Sequence, residues 1–273
     1  MRIQSINSEL IAEIPFLNAG RGPGRYYVDW LPIHEAIVDK LPGGMAAIIV
    51  TADLQGREQF DKSSKRPPRL LGEVLPAQLT NEILPRLSLP NGSIGVLLAG
   101  DFYTVPALNK RGGSGDVSEV WRAFSDEFDW VAGVAGNHDT FGEDPNAAPH
   151  FSNGRIHYLD ETRVNINGLK IAGLGGIIGN LRRMRRRSED HYCRALENLL
   201  AAQTDVLLTH DGPNAPSQGY VGSTLVREMI EILQPRLAIR GHAHWSEPFV
   251  ELEGGVQVLN VDARVVVLRE FYL

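Results

Sequence analysis

Apolar residues occur along this chain in short runs that predict buried strands. The runs consist mainly of aliphatic and β-branched residues, and each leads into a polar or glycine-rich segment. They are Ala46–Thr51, Ile94–Ala99, Trp130–Ala135, Asp205–Thr209 and Leu237–Arg240. Continuous apolar runs of this length are typical of strands that are covered on both faces.

Apolar residues at helical spacing lie between these runs. They predict a helix over Leu75–Leu87, with Pro76 and Pro85 near its ends, and a second over Ser118–Phe128, with Ser118 as its N-cap. Two more helices are expected around Leu196–Leu200 and Leu225–Leu233. Strands that alternate with helices indicate βαβ units and therefore an α/β fold.

Other segments predict antiparallel pairing and an N-terminal extension. Apolar and polar residues alternate in Arg163–Leu174 around Asn167-Gly168, and Phe249–Leu268 has a similar pattern around Gly254-Gly255, so both predict hairpins and mixed sheets. Ile11–Leu17 predicts an edge strand and Leu31–Leu41 a short helix beginning near Pro32. We expect a single domain over residues 1–273, with residues 1–44 packed on it as an extension.

Composition and charge favour a cytoplasmic protein. The chain has 273 residues, one cysteine and a formal net charge of −6, which argues against a protein that coats nucleic acids non-specifically. Its N-terminus does not resemble a secretory signal, and no uncharged apolar run is long enough to span a bilayer. We therefore expect a soluble, cytoplasmic protein without a membrane partner.

Side chains that can bind metal ions follow all five predicted strands. They are Asp53 and Gln55, Asp101, Asn137, His210, and the pair His242 and His244. Because open α/β sheets place their sites at the carboxyl ends of strands, these side chains are expected to converge. Two cations about 3.5–4 Å apart can hold a phosphate and activate water, and a carboxylate can bridge them. Glycines before Asp101, Asn137 and His242 are expected to allow tight turns.

The order of these segments resembles one known superfamily. Asp53-x-Gln55, Gly100-Asp101, Gly136-Asn137-His138-Asp139, His210 and Gly241-His242-Ala243-His244 together resemble the motifs of the calcineurin-like metallophosphoesterases. Singly, each segment is an ordinary polar strand end, but the ordered set is specific. The resemblance extends from about Ala46 to the C-terminus. It implies a four-layer αββα sandwich of two mixed β-sheets flanked by helices.

The resemblance also implies roles for individual residues. One metal would be held by Asp53, Gln55, Asp101 and His244, and the second by Asp101, Asn137, His210 and His242, with Asp101 bridging. A metal-bridging hydroxide would attack phosphorus. His138 would face the phosphate and assist at the leaving oxygen, while Asp139 would orient the His138 imidazole.

Gln55 departs from the pattern of the superfamily, which usually has histidine at this position. An amide oxygen is a harder and weaker ligand than imidazole for zinc or iron, and it suits manganese better. We therefore expect a weakened first metal site and two divalent ions, with Mn²⁺ favoured over Fe, Zn or Ni.

Arginines provide candidates for phosphate contact. Arg57 follows Gln55 closely, and it is a candidate for contact with the substrate phosphate. An arginine cluster lies between the third and fourth motifs and is either a solvated face or a surface for an anionic substrate such as a nucleotide or nucleic acid. Its members are Arg182, Arg183, Arg185, Arg186 and Arg187.

The sequence therefore favours a dinuclear metal-dependent phosphodiesterase acting on a nucleotide or nucleic-acid phosphoester. Two alternatives remain open at this point. The first is a phosphomonoesterase, including a protein phosphatase. The second is a non-catalytic scaffold in which the Gln55 site has decayed, although the other motif residues argue against it.

Overall fold

The computed structural model describes residues 1–20, 22, 25–60, 66–144, 147–151 and 154–271. In chain order its strands are β1 (Ile3–Ile6), β2 (Ala12–Ala19), β3 (Tyr26–Val38), β4 (Met45–Ala52), β5 (Ser93–Leu98), β6 (Gly115–Asp116), β7 (Trp130–Gly133), β8 (Asp139–Thr140), β9 (Ile156–Tyr158), β10 (Thr162–Ile166), β11 (Leu169–Leu174), β12 (Ile177–Ile178), β13 (Arg186–Arg187), β14 (Val206–Thr209), β15 (Leu237–Arg240), β16 (Phe249–Glu251), β17 (Gln257–Asn260) and β18 (Arg264–Glu270).

Four α-helices and three shorter helical turns complete the described elements. The helices are α1 (Leu71–Gln78), α2 (Ser118–Glu127), α3 (Glu189–Leu200) and α4 (Thr224–Leu233). Helix α1 continues into a π-helical turn over Leu79–Ile83 and a 3₁₀ turn over Leu84–Leu87, and a second 3₁₀ turn covers Pro216–Gln218. Within the described ranges, no helix is both long and apolar enough to cross a membrane.

Two mixed sheets form the centre of the molecule. In the described residues the first sheet has the order β1-β3-β18-β4-β5-β7-β9, with β2 also paired to β3, and the second has the order β10-β11-β14-β15-β17-β16. Strands β4, β5 and β7 run parallel in the first sheet, and β11, β14, β15 and β17 run parallel in the second. The carboxyl ends of these parallel strands carry the predicted ligands.

The alternation of side chains between the two faces of each strand explains the layers of the fold. On β4, Ile48 and Val50 face the second sheet and pack with residues such as Leu208 and Ile239. The intervening Ile49 belongs to a separate core formed with α1 and α2. The outer face of the second sheet packs against α3 and α4. Successive strand residues point to opposite faces, so this pattern gives the expected αββα arrangement of two mixed sheets flanked by helices.

Two local expectations were wrong. The segment Leu31–Leu41 is not a helix, because its first part belongs to β3, which pairs with β2 on one edge and with β18 on the other. Pro76 does not end a helix but lies inside α1. Its missing amide hydrogen removes one helical hydrogen bond, and the helix widens into a π-helical turn soon after it.

The N-terminal strands are part of the first sheet. Strand β3 pairs in parallel with β18, so segments from the two ends of the chain lie side by side. The hairpin around Asn167-Gly168 is confirmed, with both residues at positive φ, as a two-residue hairpin turn of this kind requires.

Candidate functional site

The predicted ligands lie where the two sheets present the carboxyl ends of their parallel strands. Asp53 follows β4, Asp101 follows β5, His210 follows β14 and His242 follows β15. One cavity of about 330 Å³ is lined by Asp53, Gln55, Asp101, Arg111, His138, His242, His244 and Asp262. The structure thus brings together residues that are far apart in sequence.

One half of this site is preorganised for a cation. Asp101, His210 and His242 each offer a ligand atom, and these three atoms lie within 4.8 Å of one another. The Nδ1 atom of His210 donates to the carbonyl oxygen of Ala99 at 2.7 Å, which holds the ring and points Nε2 toward Asp101. That Nε2 atom lies 3.3 Å from Oδ2 of Asp101.

Two buried polar atoms in this half make no well-aligned hydrogen bond among the described residues. Oδ1 of Asn137 has none, and Nε2 of His210 has only its 3.3 Å ion-pair contact with Asp101. An unpaired buried polar atom costs about 1–3 kcal/mol, so native proteins rarely retain one without a reason. A divalent cation would satisfy an imidazole nitrogen and an amide oxygen together. The residues present therefore fit a metal ion.

Opposite charges lie close together in this half of the site. Burial opposes the charge of His210, but the Asp101 carboxylate outweighs it and raises the pKa of His210 to about 10. Burial likewise opposes ionisation of Asp101, yet His210 and the His138 backbone amide lower its pKa. Burial and the neighbouring His210 lower the pKa of His242 to about 4. The Asp101 carboxylate and the His210 imidazole thus stabilise opposite charges on each other at a distance of 3.3 Å.

The second half contains Asp53, Gln55 and His244. Oδ2 of Asp53 accepts a hydrogen bond of 2.8 Å from the backbone amide of His242, and Nε2 of Gln55 lies 3.4 Å from Oδ2 of Asp101. Burial, and then the Asp262 carboxylate, raise the pKa of Asp53 well above its usual value. His244 is 60% exposed, and its Nδ1 lies 3.3 Å from Oδ1 of Asp262. This half is more open than the half around His210.

The backbone adopts left-handed conformations at three of the predicted ligands. The φ angles are 54° at Asp53, 59° at Asp101 and 68° at His242. Such conformations are uncommon for residues with a side chain and cluster at functional sites. Here they turn each side chain back toward the shared cavity immediately after its strand.

The expected tight turn is confirmed at Gly100, which has a φ of 93°, but not at the glycines before Asn137 and His242. Gly136 and Gly241 do not have positive φ, so a special turn does not require them. A Cβ atom on Gly136 would lie 2.0 Å from Oδ1 of Asp101, and one on Gly241 would lie 2.5 Å from Oδ2 of Asp53. Both glycines provide space for the carboxylate of a neighbouring strand.

The predicted role of Asp139 was wrong. Its carboxylate accepts hydrogen bonds from the backbone amides of Asp101 at 2.8 Å, Phe102 at 2.9 Å and Gly136 at 2.9 Å. The His138 ring instead has Oγ of Ser114 3.2 Å from its Nδ1. Burial and the nearby Asp101 raise the pKa of Asp139 to about 6, against the three backbone donors. Asp139 therefore holds the loop that carries Asp101, and Ser114 faces the imidazole.

The expected phosphate contact of Arg57 was also wrong. Arg57 is buried, and its Nη1 and Nη2 atoms each donate a 2.6 Å hydrogen bond, to the carbonyl oxygens of Pro68 and Thr104 respectively. Its backbone also forms isolated bridges with Leu17 of β2 and with Leu70. Its guanidinium group thus links the segments that contain Pro68 and Thr104.

Some arginines of the cluster make contacts within the protein, and others are exposed to solvent. Arg185 donates to the carbonyl oxygen of Asp139 at 2.8 Å, and Arg187 pairs with Asp160 at 2.6 Å. Arg182 and Arg183 are exposed, and contact with an anionic partner remains a prediction for them.

Three residues near the site were missed by sequence reasoning. Asp262 follows β17 and lines the cavity, so the same strand-end argument could have found it. Arg111 and Ser114 lie in the glycine-rich loop after the second motif, and nothing in their local sequence indicates which side chains of this loop reach the site. Gly112 of this loop lies so close to Gln55 that a Cβ there would be 3.1 Å from the amide group.

The fold and site together define an α/β protein with a carboxylate- and histidine-rich metal-binding centre between two sheets. The chain belongs to the calcineurin-like phosphoesterase family, whose model matches residues 46–246. Members of this family are generally metal-dependent hydrolases of phosphoesters and bind divalent metals. No curated protein matches the chain in sequence.

Solved structures share the fold at low sequence identity. The protein TT1561 of Thermus thermophilus has a TM-score of 0.54 and 16% identity, covering 80% of this chain and 90% of its own. Weaker likenesses include a phosphopantetheinyl hydrolase of Mycobacterium tuberculosis (TM-score 0.42, 14% identity, 81% and 90% coverage) and a phosphatase of Mycoplasma pneumoniae (TM-score 0.44, 12% identity, 81% and 72% coverage). At 16% identity the likeness to TT1561 shows the fold alone.

Proposed function

We propose that this protein is a dinuclear metal-dependent phosphodiesterase that acts on a nucleotide or nucleic-acid type of phosphoester. The observation that carries the metal site is Oδ1 of Asn137, a buried amide oxygen without a hydrogen-bond partner among the described residues, beside the converging ligand atoms of Asp101, His210 and His242. Family membership supplies the reaction class.

The donor set divides naturally into two sites that share Asp101. Asn137, His210 and His242 would complete the more buried site, and Asp53, Gln55 and His244 the more open one. Oxygen donors and a single imidazole make the open site a weak one for zinc, so Mn²⁺ is the favoured ion.

When bound, two divalent cations neutralise charge on the phosphate oxygens and lower the pKa of a water molecule. His138 lines the same cavity and is not needed as a ligand. Oγ of Ser114 beside Nδ1 can accept a hydrogen bond from the imidazolium form of His138, whose Nε2 proton would pass to the leaving oxygen. Asp139 would act indirectly, by fixing the backbone around Asp101.

A diester is favoured because the site has room beyond the phosphate. A cleft of about 270 Å³ adjoins the metal centre and shares Asp53, Gln55, Arg111 and His244 with it. A phosphodiester carries a second organic group that needs such space, whereas a phosphomonoester carries only one.

The test compares bis-p-nitrophenyl phosphate with p-nitrophenyl phosphate in the presence of Mn²⁺, Fe²⁺, Zn²⁺, Ni²⁺ and Mg²⁺, with metal content measured on the purified protein. We expect a higher kcat/KM for the diester and loss of activity with a chelator. A preference for the monoester would indicate a phosphomonoesterase instead. No hydrolysis with any of these metals would indicate a non-catalytic scaffold.

A further inference from the structure

The N-terminal hairpin of β2 and β3 forms one wall of the cleft beside the metal centre. Tyr27 and Asp29 of this hairpin line the cleft, opposite Asp53, Gln55 and His244. The family model begins at residue 46, so this wall lies outside the part of the chain that the family shares.

The pairing of the two strands puts a defined set of side chains on the cleft face. Asn18 pairs with Tyr27, and Phe16 with Asp29. Because successive residues of a strand face opposite sides, Tyr27 and Asp29 share this face while Tyr26 lies on the other. There the Tyr26 ring makes an edge contact with Phe60, with ring centroids 4.9 Å apart.

The cleft face combines an exposed ring with a fixed carboxylate. Tyr27 is 49% exposed, although it is a large aromatic residue next to the site. Oδ2 of Asp29 accepts a 2.9 Å hydrogen bond from Nδ2 of the buried Asn18, and the Tyr27 hydroxyl lies 3.4 Å from the same oxygen. Asp29 is therefore held at the cleft as a hydrogen-bond acceptor.

The positively charged side chain of Arg111 connects this face to the metal centre. Arg111 lines both the cleft and the metal-binding cavity and is exposed. The cleft and the metal-binding cavity thus share metal ligands and a guanidinium group, and the cleft adds an aromatic ring with a carboxylate beside it. An arginine suits a phosphate oxygen, a tyrosine ring suits a planar base, and a carboxylate accepts from a base amino group.

We propose that this cleft binds an amino-bearing nucleobase of the substrate, stacked on Tyr27 and hydrogen-bonded to Asp29, while Arg111 contacts the phosphate. This inference rests on the proposed function and names its substrate class. The cleft volume of about 270 Å³ lies just below the range of about 300–1,000 Å³ usual for whole-ligand pockets, which suits one ring system rather than a larger ligand.

The test measures binding without turnover. The methylenephosphonate analogues of CMP and of ribose 5-phosphate, which have no cleavable ester bond to phosphorus, are titrated calorimetrically into the Mn²⁺-loaded protein. We expect the CMP analogue to bind at least about fivefold more tightly, because a stacked base contributes that much or more. Equal affinities for the two analogues would overturn the proposal.

Three variants assign the preference to the cleft. Tyr27→Ala should bring the two affinities to near equality by weakening only the CMP analogue, and Asp29→Asn should reduce the preference. Tyr26→Ala, which removes a similarly exposed ring from the opposite face of the same strand, should retain it. A preference that survives in Tyr27→Ala, or an equal loss for both analogues, would contradict base stacking.

Hydrolysis of bis-p-nitrophenyl phosphate separates this inference from the function on which it rests. A wild-type protein that hydrolyses the diester but shows no base preference contradicts the cleft proposal alone. A protein that prefers the CMP analogue but hydrolyses no phosphoester contradicts the proposed function, and it supports the cleft as a nucleotide-binding site.

Discussion

The backbone amide of Asp101 donates a 2.8 Å hydrogen bond to Oδ2 of Asp139, which fixes the residue expected to bridge two metals. The same carboxylate accepts from the amides of Phe102 and Gly136. In Asp139→Asn one of the two acceptor oxygens becomes an NH₂ group, which would face a backbone donor. We expect Mn²⁺ affinity to fall by about 10–100-fold, the usual effect of removing a group that orients a ligand.

Calorimetric titration of Mn²⁺ into wild type and Asp139→Asn would measure this loss. We also expect the free energy of unfolding to fall by about 1–3 kcal/mol, because a buried amide is left without an acceptor. Asp116→Asn, on an exposed carboxylate of the neighbouring strand β6, is a matched control that should keep wild-type Mn²⁺ affinity. Unchanged affinity in Asp139→Asn would show that the loop does not depend on this carboxylate.

The sequence predicted the five ligand-bearing strands because each is a short apolar run that ends at a polar residue. Burial on both faces makes such strands recognisable without knowledge of their partners. Strand β3 was mistaken for a helix because its conformation depends on pairing with β2 and with the distant β18. Local sequence does not contain that information.

In the site, too, local sequence predicted some features, while others depend on contacts between distant segments. Residue types and their order identified the candidate metal ligands that the structure brings together, but the direction of a polar side chain depends on how loops fold over one another. Asp139 turns toward the Asp101 backbone, and Arg57 turns toward two carbonyl oxygens, although both lie within three residues of predicted ligands. Arg111 lines the site only because its loop folds over it.

Replacing Gln55 with histidine should strengthen the open metal site. An imidazole nitrogen is a better ligand than an amide oxygen for zinc and iron, so we expect tighter binding of a second ion and a shift in preference from Mn²⁺ toward Zn²⁺. Metal content after dialysis and activity with each metal would measure the change. Gln78→His, outside the metal site, is the control. Unchanged stoichiometry and activity in Gln55→His would contradict a role for Gln55 in metal binding.

His138→Gln should reduce turnover without removing the metals. A general acid contributes about 10²–10⁴-fold, and the loss should be larger for an alkyl leaving group than for p-nitrophenolate, which needs little protonation. Ser114→Ala should cause a smaller loss in the same direction, since it removes the hydroxyl beside Nδ1. Steady-state kinetics with both types of ester, together with metal analysis, provide the measurement. Equal losses for the two leaving groups would argue against proton donation by His138.

Deletion of residues 1–44 should destabilise the whole protein. It removes β3, whose buried Ile33 and Ala36 belong to the two cores on either face of the first sheet, and it exposes the edge of β18. We expect one cooperative transition for the full chain, as for a single domain, and no folded protein after the deletion. Deletion of residues 1–7, which removes only the edge strand β1, should have a smaller effect. Thermal unfolding of both truncations would show a separable extension if residues 45–273 kept the wild-type midpoint.

The stability of the protein should fall on acidification partly because of His34. Burial, and then the positive charge of Arg264, lower the pKa of His34 to about 4 from its usual 6.5. His34 remains neutral in the folded protein but becomes protonated in the unfolded chain once the pH falls below 6.5. Its contribution is therefore complete above pH 6.5 and is lost as the pH falls toward 4. Urea unfolding at several pH values, with a chelator present, should show a shallower decline in His34→Gln than in wild type. The exposed His150→Gln variant should follow wild type, and identical slopes for wild type and His34→Gln would contradict the prediction.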